Sequence, residues 1–242
     1  MMTAHAPLLA SFALVPALVA QHPLTGSSLL SGWHPAVVRN QQAGQTPSSG
    51  QNPPGGAAIT EKLDTPQARV IVATLQPHAP ARSPNGHSTH RVLIYMDDGV
   101  MTRQEGSGKP ETITFHRGDV RWRPASGAYV AENTSDHPIR ILEIDLKGVP
   151  PAPARTTKLD PTVVDPTKYK VIFENDQVRV LRIHFGAHER GAEHEHILNR
   201  VVFYLNDQTN AKRDDVRLAG AARHTEQNDG DGPADRIAVE LK

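Results

Sequence analysis

The sequence predicts an all-β chain made of two tandem units of one architecture, each a sandwich or barrel. Three observations carry this. Short runs rich in Val, Ile, Leu and Arg alternate in character and stop at Gly, Pro or Asp clusters. Helical periodicity over ten or more residues is missing beyond the first twenty residues. Finally, the run from Gln67 is matched by a second run from Gln177, too long a period for a solenoid.

The N-terminal sixty residues stand apart. Before residue 61 the one charged side chain is Arg39. Leu8 to Ala20 is a 13-residue apolar stretch, too short for the ~20 residues of a membrane helix. Its length and its small residues Ala17 and Ala20 suit the apolar region of a secretory signal over residues 1–20, and so a periplasmic or secreted protein. The segment ahead of it has no Lys or Arg, which suits instead a leader on a cytoplasmic protein. Residues 21–60, with the run Gln41–Gly56 of Gln, Ser, Pro and Gly, read as a flexible, disordered tether, since such residues bury too little apolar surface to offset chain entropy. Folded structure is expected to start near Ile59 to Leu63.

The first unit is expected over residues 61–148. Arg69–Leu75 places Val70, Val72 and Thr74 on one face and Ile71 and Ala73 on the other. Glu111–Phe115, Asp119–Trp122 and Ile139–Leu146 follow the same habit, and Asn133–Asp136 makes a turn. A Pro-rich linker covers residues 149–166, and the second unit covers 167–242. Arg91-Val-Leu-Ile-Tyr95 faces Arg200-Val-Val-Phe-Tyr204 at a separation of 109 residues. Lys147 faces Lys242 at a separation of 95, so the second copy is shorter by 14. The loss falls between Asp207 and Asp214, where the first copy has Gly99 to Phe115. About one β-hairpin is therefore missing from the second unit. That opens one side and exposes sheet edges, which predicts covering by the other unit or by a second chain in a homodimer.

Composition narrows the function. Among 242 residues, 26 Lys and Arg balance 26 Asp and Glu, which argues against nucleic acid as a partner. No cysteine is present, so thiolate metal sites and Cys nucleophiles are excluded. No nucleophile elbow, phosphate loop or dinucleotide fingerprint occurs. The excess is histidine, 13 in all.

His194-Glu195-His196 leads towards the strand through Val201–Leu205. In a strand, residues i and i+2 project to one face, roughly 6.6 Å apart at ~3.3 Å per residue. Two such imidazoles can lean towards one cation, each nitrogen near ~2.1 Å from it, while Glu195 faces away. His224 begins a run ending in Asn228, and an antiparallel neighbour would set it opposite the pair. Three neutral imidazoles with open positions suit Fe(II), Mn, Ni or Zn. Glu226 shares the face of His224, as a general base, alternate ligand or solvated rim carboxylate. Arg200, if inward, favours an anionic ligand; otherwise it serves a surface ion pair. His184 and His188 read as surface histidines, and Tyr95 and Tyr204 as equivalent packing positions.

These runs resemble the cupin superfamily of small jelly-roll β-barrels. Gly186-Ala-His-Glu-Arg-Gly-Ala-Glu-His194-Glu-His196 is similar to its first motif, and His224-Thr-Glu-Gln-Asn228 to the end of its second. Gly118-Asp-Val-Arg-Trp-Arg-Pro124-Ala-Ser-Gly127-Ala-Tyr129-Val-Ala-Glu-Asn133 is similar to the whole second motif, with Tyr129 in place of His. The resemblance implies two cupin-type barrels, a bicupin. Aligning Arg91 on Arg200 sets Asn85, His87 and Tyr129 opposite His194, His196 and His224. The first barrel thereby keeps one ligand of three and is expected to be structural; His90 and His116 fall at no matching position. In the second barrel the family's acidic ligand would fall near Arg200 or Val201, leaving a three-His site for one divalent transition metal and a small, anionic ligand. The resemblance leaves open an oxygen- or water-activating enzyme (dioxygenase-like, or an isomerase), a binding module, or a structural pair with vestigial ligands.

Overall fold

The computed structural model describes residues 57–148 and 156–242. The expected signal at Leu8–Ala20 and most of the expected tether lie outside them. In the first barrel the strands are β1 (Ala57–Asp64), β2 (Ala68–Leu75), β3 (Pro80–Ser83), β4 (Arg91–Tyr95), β5 (Gly99–Glu105), β6 (Glu111–Phe115), β7 (Val120–Arg123), β8 (Tyr129–Asn133) and β9 (Ile139–Leu146). A one-turn helix α1 (Pro161–Val164) precedes β10 (Tyr169–Glu174), β11 (Val178–Phe185), β12 (Arg190–His196), β13 (Arg200–Tyr204), β14 (Val216–Ala219), β15 (Ala222–Gln227) and β16 (Ala234–Leu241). The strand structure starts at Ala57, slightly ahead of the expected Ile59.

Each barrel has one large sheet, in the order β1-β2-β9-β4-β7 in the first and β10-β11-β16-β13-β14 in the second. The facing small sheets differ. The first barrel has β3-β8-β5-β6, the second only β12-β15. The β5–β6 hairpin is therefore the element that the 14-residue difference removes.

Both faces of the large sheets are apolar because both are covered. Val70, Val72, Ile94 and Ile144 of one sheet pack with Val180, Val201, Phe203 and Val239 of the other, in a core shared by the two barrels. The barrels thus meet sheet face to sheet face, not edge to edge. Alternate residues point into the barrels: Leu93, Tyr95, Met101 and Ile141 fill the first, and Tyr169, Leu181, Phe185 and Val202 the second. Polar bonds supplement this contact: Arg117 donates to the Leu205 carbonyl at 3.0 Å and to Asp214 at 2.5 Å, and Arg140 also reaches Asp214 at 2.7 Å.

The segment leading into the second barrel is docked on it. Asp160 caps α1 and accepts from Arg179 at 2.6 Å. The Leu159 carbonyl accepts from the Glu195 backbone N–H at 2.8 Å, and Asp165 accepts from the Ala192 N–H at 3.0 Å. The linker thereby covers the side of β12 that β15 does not pair with. The Asn of each family-like motif ties a turn: Asn228 donates to the Gly186 and Gly232 carbonyls at 2.7 and 2.8 Å, and Asn133 to those of Leu75 and His137 at 3.1 and 2.7 Å.

Candidate metal centre

β12 and β15 run antiparallel with His194 directly opposite His224. His196, two residues along β12, projects to the same face. The ring centroids are 4.6 Å apart for His194–His224, 5.0 Å for His194–His196 and 5.6 Å for His196–His224. One nitrogen from each ring lies within 4.8 Å of the others. His194 and His196 are fully buried and His224 is partly buried. Glu195 faces away and accepts from Thr157 at 2.6 Å.

The rings are oriented from behind. His194 Nδ1 lies 2.9 Å from the Ala192 carbonyl oxygen. His196 Nδ1 lies 3.0 Å from Glu240 Oε1, and Glu240 Oε2 accepts from Arg179 at 2.6 Å. That leaves the Nε2 atoms of His194 and His196 free of these backing groups. His224 Nε2 is buried and has no hydrogen-bond partner among the described residues. Such an atom is costly to bury unless something binds it. Burial, then the neighbouring His194 ring, holds the His224 pKa down at about 4, and burial also lowers that of His196. Imidazoles whose distal nitrogens are fixed by a carbonyl or carboxylate, as those of His194 and His196 are, suit a metal site, so the residues fit a divalent ion. No carboxylate stands among these three groups.

Two further groups border the histidines. The Tyr169 hydroxyl donates to Glu226 at 2.6 Å and lies 3.3 Å from His194 Nε2. Glu226 also pairs with Arg236. Burial works to raise the Glu226 pKa, but Arg236 and the Tyr169 hydroxyl outweigh it and keep the carboxyl ionised. Burial and then Glu226 push the Tyr169 pKa upward, so the phenol keeps its proton. Glu226 is thus an interior carboxylate, in place of the solvated rim group. Arg200 is likewise interior, 7 % exposed, and donates to the Gly220 carbonyl at 2.7 Å. A 190 Å³ cavity reaches Glu226 and Arg236 between Tyr204, Thr209 and Asn228, beside the turn that replaces the missing hairpin.

The other histidines fall elsewhere. His184 and His188 are exposed, on Asp235 and Asp231. His90 stacks on Trp122, and His116 is exposed. In the first barrel His87 and Tyr129 do meet, Nε2 to hydroxyl at 2.8 Å. His87, Glu143 and Asp145 form a second group with potential ligand atoms within 4.8 Å of one another. Tyr169, Arg179, Arg236 and Glu240 were not singled out from the sequence. Parity within β16, where Glu240 shares a face with Arg236 and Ala238, is the signal that would have found two of them.

No family model matches the sequence, and no curated protein resembles it closely enough to count as a match. Solved structures do resemble it in shape. A cupin 2 conserved barrel domain protein from Leptotrichia buccalis is 12 % identical, with 77 % of this chain and 89 % of that chain covered and a TM-score of 0.50. AerE from Microcystis aeruginosa is 9 % identical over 77 % of this chain and 98 % of that one, TM-score 0.52. The oxalate decarboxylase of Lactobacillus farciminis, in a formate complex, is 10 % identical over 77 % and 82 %, TM-score 0.51. With its paired sheets and these likenesses, the chain has the fold of a bicupin, two cupin barrels in tandem.

Proposed function

We propose that the second barrel binds one divalent transition metal through His194, His196 and His224 and holds a small anionic ligand beside it. The observation that carries this reading is the buried, unpartnered Nε2 of His224, facing two further imidazoles whose Nδ1 atoms are already engaged. With three neutral ligands, the ion would supply a Lewis acid of undiminished double positive charge. The chain's own groups then divide the work. Glu240 fixes the His196 ring and raises its basicity. Arg200 adds positive charge to the barrel interior and favours an anion. Glu226, ionised and bonded to the neutral Tyr169 hydroxyl, can accept a proton, and Tyr169 can pass one on at its oxygen. That pair gives the enzymatic alternative, an oxidoreductase or isomerase acting on a small organic substrate, its structural basis.

The test is metal analysis of the full chain purified without chelator or affinity tag. One equivalent of Fe, Mn, Ni or Zn is expected, and none in the His194→Ala/His196→Ala double variant. Equal metal content in both would refute the site.

A further inference from the structure

A further cavity stands apart from the histidines. It lies inside the first barrel and measures about 330 Å³. Its walls are of two kinds. Leu75, Leu93, Met101 and Ile141 make an apolar side, while Arg91, Arg103, Arg123 and Glu143 make a polar end.

Arg91 is 1 % exposed, yet its Nε and Nη1 have no hydrogen-bond partner among the described residues. The nearest carboxylate oxygen, Glu143 Oε2, stands 3.6 Å from Nε and is itself without a partner. Arg123 Nε is in the same condition. A buried guanidinium with free N–H groups is a costly arrangement unless an acceptor completes it. The corresponding Arg200 of the second barrel is completed by the Gly220 carbonyl; Arg91 has no such oxygen. Arg103 is held in place over the Tyr129 ring, 3.5 Å from its centroid, and by Glu105 at 2.9 Å.

The mouth is fixed as well. His87 and Ser126 exchange two backbone hydrogen bonds of 2.9 Å, clamping the two loops that flank the cavity. Gly86 makes this approach possible: at φ +63°, a Cβ there would lie 2.0 Å from the Ser126 carbonyl oxygen.

We infer that the first barrel is a binding site for a small organic carboxylate, whose anionic end completes Arg91 and Arg123 and whose apolar body lies against Leu93, Met101 and Ile141. A cation at His87, Glu143 and Asp145 is the weaker fit. The Arg91 guanidinium already acts on all three groups, and Asp145 does not line the cavity. Burial pushes the Glu143 carboxyl up to about 7, so near neutrality much of it is protonated and able to donate to a second ligand oxygen. Arginine rather than lysine suits the role because its planar fork matches a carboxylate.

The experiment is calorimetric titration of the full chain carrying His194→Ala/His196→Ala, which disables the second-barrel site. Benzoate and hexanoate are the probes, with benzamide as the neutral isostere. Binding of one equivalent of at least one carboxylate is expected, with benzamide at least tenfold weaker. Arg91→Gln is expected to weaken carboxylate binding at least tenfold. Because the buried Arg91 variant can fail to fold, Arg103→Gln is measured beside it, with a smaller loss expected. Absence of binding by both carboxylates, or equal binding of benzamide, overturns the inference. So does carboxylate affinity unchanged in a folded Arg91→Gln protein. These results leave the metal reading untouched, since its ligands are absent from the protein tested.

Discussion

His194 and His224 face each other across the β12–β15 ladder with ring centroids 4.6 Å apart and no hydrogen bond joining them. Two imidazoles side by side without a proton or an ion between them gain little from the contact. His224→Leu removes a buried polar atom and keeps a comparable volume. In chelator, the variant is expected to match or exceed the parent by roughly 1 kcal/mol, the order of the penalty for an unmade buried hydrogen bond. With metal present the order reverses, because only the parent gains the binding free energy. Urea unfolding of both proteins, with and without metal, reads this directly. A parent whose midpoint ignores the metal would remove the basis for a resident ion.

Glu240 holds His196 by Nδ1 and is itself held by Arg179. Glu240→Gln keeps the shape and loses the charge. Metal affinity is expected to fall about 10- to 100-fold, the usual cost of losing a carboxylate behind a ligating histidine. Competition against a chromophoric chelator measures it. An unchanged affinity would mean that Glu240 serves only the ion pair with Arg179.

How far the sequence disclosed this arrangement depends on the kind of information each residue carries. The spacing of His194 and His196 states their common face outright, because side chains alternate in a strand. His224 needed a barrel to bring it back, and the repeat supplied one. The 14-residue difference located the missing hairpin for the same reason. Charged residues stayed ambiguous: Glu226 and Arg200 each admitted an inward role and a rim or surface one, because a charged position in a strand ordinarily faces water. In a closed barrel the alternate face is an interior, and both residues sit in it. Tyr169 meets His194 and Glu226, and Arg91 stands opposite Arg123 in the β4–β7 ladder, through pairings of strands far apart in the chain, so neither meeting is legible before the sheets form.

Inside the first barrel, Glu143 gives stability a pH dependence of definite sign. Its pKa rises from an ordinary carboxylate value near 4.5 to about 7 in the folded chain, chiefly through burial. A group raised in this way contributes stability that is fully present below 4.5 and lost as pH climbs through 7. Glu143→Gln has no such proton to lose. Its stability relative to the parent is therefore expected to improve between pH 5 and pH 8, by about 3 kcal/mol at most for a shift of this size. Denaturant melts at the two pH values check it. A difference between the proteins that is the same at both would place the carboxyl in water, not in the barrel.

Phe203 lies at the shared core between the barrels, wholly buried, with neighbours from both large sheets. The two barrels are therefore expected to unfold as one unit, since parting them exposes a continuous apolar face on each. Phe203→Ala takes a large side chain out of that layer and leaves a cavity that rigid sheets close poorly. The cost is expected to be about 3–5 kcal/mol. It should fall on both barrels, although Phe203 belongs to the second. Scanning calorimetry should give one transition in the parent and one, at lower temperature, in the variant. Tryptophan fluorescence is a second probe once Trp33 is replaced by Phe, because Trp122 on β7 of the first barrel then reports alone, from its stack on Phe173 of β10. Its midpoint should move together with the calorimetric one. A fluorescence midpoint left in place while the rest of the chain melts early would mean that the barrels are stable separately and the shared core contributes little to joining them.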